Sequence, residues 1–137
     1  MADQTKLAND MAAVSRAMVS LHKEQFGRGP TRARSHFSGR DALLCVLENA
    51  LLPAEQKMVK LGEAQRVRES RIAFQVATAD EFIAVVEQIL YRKVSAFASA
   101  VDPENNVVFE NFAFEPLGTE ELGNDLVAPA AVDGHFG

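Results

Sequence analysis

Four arginines fall between positions 28 and 40 (Arg28, Arg32, Arg34 and Arg40), and no acidic residue interrupts the stretch from Glu24 to Asp41. The segment 31–37 alternates Ala33, Ser35 and Phe37 against Arg32, Arg34 and His36, the period of two expected of a half-exposed strand. On such a strand the two guanidinium groups and the imidazole project from one face. Guanidinium groups offer paired donors in one plane, which suits carboxylate, phosphate or bicarbonate. The Gly27–Pro30 connector beside them can turn backbone N–H groups toward the same ligand. One reading is therefore a small-anion site built from Arg28, Arg32, Arg34 and His36. The other is a solvated outer sheet face whose arginines pair within the chain, as exposed charges ordinarily do.

A second group, Arg66, Arg68 and Arg71, opens a long helical pattern, where cations oppose the helix dipole unless acids compensate. Glu63 and Glu69 are the expected partners. Other chemistry is poorly represented. The chain has no G-x-S-x-G, Walker A, G-x-G-x-x-G or H-E-x-x-H pattern. His22, His36 and His135 lack metal-site spacing, and Cys45 sits in an apolar run, as expected of a core thiol. No enzyme, metal or cofactor is expected from these residues.

The elements that must position the arginines follow from periodicity. Residues 5–24 predict an amphipathic helix with Leu7, Met11, Val14, Met18 and Leu21 on one narrow stripe, which Gly27 terminates. That stripe either packs on its own sheet or meets the same helix of a second chain, and it is the candidate interface of a homodimer. Strands are predicted at 31–37 and 42–47 around the turn Ser38–Asp41, and at 94–101 and 107–114 around Asp102–Asn106. Pro53 at a first helical position opens a short helix to about 61, and 63–91 reads as one long central helix carrying Phe74, Phe82, Val86 and Ile89 inward. The expected fold is α+β, in the order α-β-β-α-α-β-β. Two hairpins form a four-stranded, mainly antiparallel sheet with helices on one face.

Composition narrows function further. Through Phe114 the 14 basic residues are balanced by 14 acidic ones, and the five remaining acids lie in a segment without Lys or Arg. A neutral folded part gives no electrostatic reason to expect nucleic acid. Residues 1–116 are expected to form one domain, and 117–137 an acidic, mobile tail. The longest apolar run, Ala42 to Leu47, is too short for a membrane span, and one cysteine suits a reducing cytoplasm.

Several segments occur in an ordered set: Phe26-Gly27-Arg28-Gly29-Pro30, Leu52-Pro53-Ala54-Glu55, the stretches Arg71–Gln75 and Phe82–Glu87, Arg92–Ser99, Asp102-Pro103 and Phe114-Glu115-Pro116. From about Asp10 to Pro116 this set resembles the MpsC-like family, named after a sodium-translocating, membrane-potential-generating system. The resemblance implies an accessory or regulatory role beside a membrane subunit that transports ions or inorganic carbon. It carries over no catalytic residues.

Overall fold

The computed structural model describes residues 2–118; the segment expected to form the acidic tail lies almost wholly outside them. Eight elements follow one another: α1 (Ala2–Phe26), β1 (Arg32–Phe37), β2 (Ala42–Glu48), α2 (Pro53–Lys60), α3 (Ala64–Ala77), α4 (Ala79–Leu90), β3 (Val94–Asp102) and β4 (Val107–Phe114). The strands form one sheet in the order β1-β2-β4-β3, every neighbouring pair antiparallel. The two hairpins thus meet along β2 and β4, with Cys45 opposite Glu110 and Val46 opposite Phe109.

One face of this sheet is covered. Leu43, Leu47, Val108, Phe112 and Phe114 point into the core, where they meet Val14 and Met18 of α1, Val67 of α3, and Phe82 and Val86 of α4. A chain of aromatic contacts, Phe82 to Phe97 at 5.7 Å and Phe97 to Phe112 at 4.8 Å, joins α4 to the β3–β4 hairpin. The expected apolar stripe of α1 is present, and its centre is buried in this intramolecular core: Val14 and Met18 are 0% exposed. Met11 and Leu21 pack against the same cluster, and among the five only Leu7 stands half exposed. The stripe accordingly packs on its own sheet, because the sheet's inner face offers it more apolar surface than a lone helix could leave dry.

The predicted helix 63–91 is two helices, which corrects the expectation of one long element. At Thr78 the backbone leaves helical geometry (φ −113°, ψ 14°), and the side-chain hydroxyl donates to the Phe74 carbonyl. Asp80 and Glu81 then supply acids to the first turn of α4. Phe82 follows Phe74 by eight residues, about 80° out of phase on one continuous helix, and the two differ in burial accordingly: Phe74 is 47% exposed, whereas Phe82 is fully buried.

Two glycines end α1 and free the chain for β1. Gly27 adopts φ +79° while its N–H returns to the Lys23 carbonyl, the left-handed cap anticipated there. A Cβ on Gly29 would lie 2.9 Å from the Val19 carbonyl oxygen, so only glycine lets the connector pass against the helix. Across the sheet, Arg92 donates to the Arg40 carbonyl and to Asp41 and lies over the Phe114 ring, fastening the first hairpin turn to the end of β4.

Replacing Phe82 by Ala removes a fully buried ring that contacts both His22 and Phe97. The expected loss is about 3–5 kcal/mol in urea denaturation, from lost burial and the residual cavity. A loss under about 1 kcal/mol would contradict this account of the core.

Candidate functional site

The sheet face that no described element covers carries the arginine strand. Side chains alternate, so the face opposite the helices presents Arg32, Arg34 and His36 of β1, Leu44, Val46 and Glu48 of β2, Val107 and Phe109 of β4, and Ala96, Ala98 and Ala100 of β3. Arg32, Arg34 and His36 are exposed and share one side of the strand, as the spacing predicts. Glu48 lies between the two arginines, with its carboxylate oxygens 3.4 Å from Arg32 Nε and 3.6 Å from an Arg34 terminal nitrogen. Two cations therefore share one carboxylate while their side chains stay 69% and 54% exposed. Arg28 does not join them; it is half-buried and donates to the Leu51 carbonyl at 2.6 Å.

The second arginine group also divides. Arg66 pairs with Glu63 as expected, at 3.0 Å, and Arg68 donates to Gln65 and to the Val101 carbonyl. Arg71 is buried, 1% exposed, and its partner is Glu55 of α2, not Glu63 or Glu69. Its Nε and a terminal nitrogen meet both oxygens of Glu55 at 2.8 and 2.6 Å, and the same terminal nitrogen donates to the Ala50 carbonyl. The guanidinium lies 3.7 Å from the centre of the Phe26 ring. Glu55 also accepts the Leu52 N–H, so one carboxylate serves the start of α2 and the buried cation together.

Beneath the open face runs a polar row that periodicity does not disclose. Ser35, Cys45, Glu110 and Ser99 are successive cross-strand neighbours on the inner face of β1, β2, β4 and β3. The Ser15 and Ser35 hydroxyls meet at 2.7 Å, Ser35 donates to the Cys45 thiol, and Ser99 donates to Glu110. Glu110 is 0% exposed, with its second oxygen 3.8 Å from His22 Nε2 on α1; Gln75 of α3 closes the cluster 3.4 Å from the same nitrogen. The only advance sign of it was a glutamate at an inward position of a strand otherwise read as core. Gln75 and Ser99 also line a pocket of about 340 Å³ with Ile72, Val76, Ala79 and Phe97, between α3 and β3.

The row does not assemble a nucleophile. Ser99 is bonded to a carboxylate instead of to an imidazole, and burial pushes the Cys45 thiol up to about 12, with the nearby Glu110 charge adding to the rise and the Ser35 hydrogen bond opposing it. Among the described residues no group of three His, Cys, Asp or Glu side chains is arranged to hold a metal ion.

Fold and site together define a two-layer α+β domain whose sheet is helix-covered on one side and, among the described residues, open on the other. Residues 9–116 match the MpsC family, described as a Na+-translocating membrane potential-generating system, and the chain belongs to that family. No curated protein and no solved structure gives a significant match.

Two measurements test the buried groups. Arg71→Met leaves Glu55 without its cation and is expected to destabilise by about 3–5 kcal/mol, with part of the loss returned in the Arg71→Met/Glu55→Gln double variant. For Cys45, both folded and unfolded thiols stay protonated below about pH 9; between there and about 12 only the unfolded chain ionises, so stability falls as pH rises. The fall approaches about 1.4 kcal/mol per pH unit at most. Urea midpoints from pH 8 to 10.5 should decline more steeply for the parent than for Cys45→Ala, and parallel slopes would refute the assignment.

Proposed function

We propose that this chain is a non-enzymatic accessory module of the membrane-potential-generating system after which its family is described, working on the cytoplasmic side as a homodimer beside a membrane-transport subunit. The family match over residues 9–116 carries this reading. No helix among the described residues is long and apolar enough to cross a membrane, so the reading assigns the ion path to another chain. The non-enzymatic part draws support from Cys45 and Ser99, whose buried thiol and carboxylate-bound hydroxyl are both poorly placed to attack a substrate.

The test is genetic and electrical. Cells lacking the chain should show a reduced sodium-dependent membrane potential, read with a voltage-sensitive dye, and a plasmid-borne copy should restore it. Running the assay with and without added bicarbonate distinguishes sodium transport from inorganic-carbon transport. An unchanged potential and unchanged growth under both conditions would overturn the accessory role.

A second reading, a small-anion site, draws on the two exposed arginines that share Glu48. It now comprises Arg32, Arg34 and His36, since Arg28 is bonded elsewhere. Bicarbonate, phosphate or acetate at millimolar concentration should raise the melting temperature of the parent by mass action, and Arg32→Glu/Arg34→Glu should abolish the rise. Absence of any anion-induced shift in the parent removes this reading.

A further inference from the structure

The sheet face that no described element covers combines three features. Its centre is apolar, formed by Leu44, Val46 and Phe109, and Val46 is already 8% exposed without a helix above it. One flank, β1, bears long basic side chains, and the opposite flank, β3, bears only alanines as far as Asp102. The cross-strand rows are Arg32–Glu48–Val107–Asp102, Arg34–Val46–Phe109–Ala100 and His36–Leu44–Asn111–Ala98.

These rows are self-complementary. A two-fold axis parallel to the strands, passing above the line between β2 and β4, lays the face on a second copy of itself. Each row then falls on its own reverse. Val46 meets the second copy's Phe109, Arg34 and His36 lie over the small side chains of Ala100 and Ala98, and Arg32 faces Asp102. On the flanks large side chains oppose small ones and the basic strand meets the acidic end of the alanine strand, while along the middle Val46 packs on Phe109, Leu44 falls on Asn111 and Glu48 on Val107. Sheets packed face to face cross at about 30°, which displaces the outer strands by roughly one residue, within the reach of an arginine.

We propose that this face is the homodimer interface, and that Arg32, Arg34 and His36 serve there as contacts to the second copy. The inference rests on the homodimer reading above and names the surface responsible. Four strands about 4.8 Å apart and six to seven residues long present a footprint of about 400 Å² per chain, which belongs with weak, reversible association. An interface of that size is expected to exchange between monomer and dimer at tens to hundreds of micromolar.

Ala100 decides the question because it is exposed and lies on the alanine flank. Analytical ultracentrifugation of the full chain should show Ala100→Arg raising the dimer dissociation constant at least about tenfold, by opposing Arg34 of the second copy, while Ala100→Glu leaves it unchanged or lowers it. Arg34→Glu alone should weaken the dimer, and Arg34→Glu/Ala100→Arg should return the constant to within about threefold of the parent. Circular dichroism and melting temperature confirm folding; should Ala100→Arg fail to fold, Ala98→Arg, opposed to His36, replaces it. A parent dimer with one constant across all variants would overturn this interface alone. A parent that stays monomeric at several hundred micromolar would overturn the interface and the homodimer reading together, while the electrical assay still tests the accessory role separately.

Discussion

The guanidinium of Arg71 sits where four parts of the chain converge, and the helical layer is organised about it. It projects from α3, holds Glu55 at the start of α2, caps the Ala50 carbonyl beyond β2 and lies on the Phe26 ring at the end of α1. A buried cation is costly unless its charge is paired; Glu55 pairs this one, although one terminal nitrogen of Arg71 is buried without a hydrogen-bond partner. Moving α2 away would leave the buried charge unpaired, and moving the Ala50 carbonyl or the Phe26 ring would cost it a hydrogen bond or a cation–π contact, so the surrounding segments are held relative to one another. Apolar burial supplies the general drive to cover the sheet, but it is indifferent to small slides of one helix over another. The bidentate pair is not, since its geometry tolerates little displacement.

The strands were largely legible in the sequence, and the reasons are specific. Ala33, Ser35 and Phe37 alternating with Arg32, Arg34 and His36 could describe only a strand with one wet face, and β1 is such a strand. The run Ala42–Leu47 read as more deeply buried, and Leu43, Cys45, Val46 and Leu47 are all buried. The helices were less legible. The break at Thr78 lies within a run of apolar residues without Gly or Pro to mark it, although Thr78 followed three residues later by Glu81 is the pattern of a helix start. The candidate site was legible only where it is local. Arg32, Arg34 and His36 share a face because of their spacing, whereas Arg71–Glu55 and His22–Glu110 join residues 16 and 88 positions apart, and no periodicity relates such pairs. Arg28 illustrates the converse: closeness in sequence to the other arginines did not place it with them.

Membership of the MpsC family and the architecture bear on function in different ways. The family associates the chain with a membrane potential and with sodium. The architecture contributes a one-sided layer: helices and core on one side, and on the other a sheet surface that no described element covers. The residues that gave the sequence its chemical interest are on the outside, on the one layer surface no element of the described chain covers.

The transverse row Ser35–Cys45–Glu110–Ser99 has a consequence for how the sheet finds its alignment. Alternation of apolar and polar residues forbids a strand from sliding by one position, since that would turn its core residues outward. It does not forbid sliding by two, which preserves every inside and every outside. The row does. A two-residue slide of β4 would set Glu110 against leucine in place of Cys45 and carry it away from Ser99 and His22, stranding a carboxylate in the interior. The four residues therefore act as a vernier across the sheet, admitting one alignment among those that hydrophobicity alone would leave equivalent.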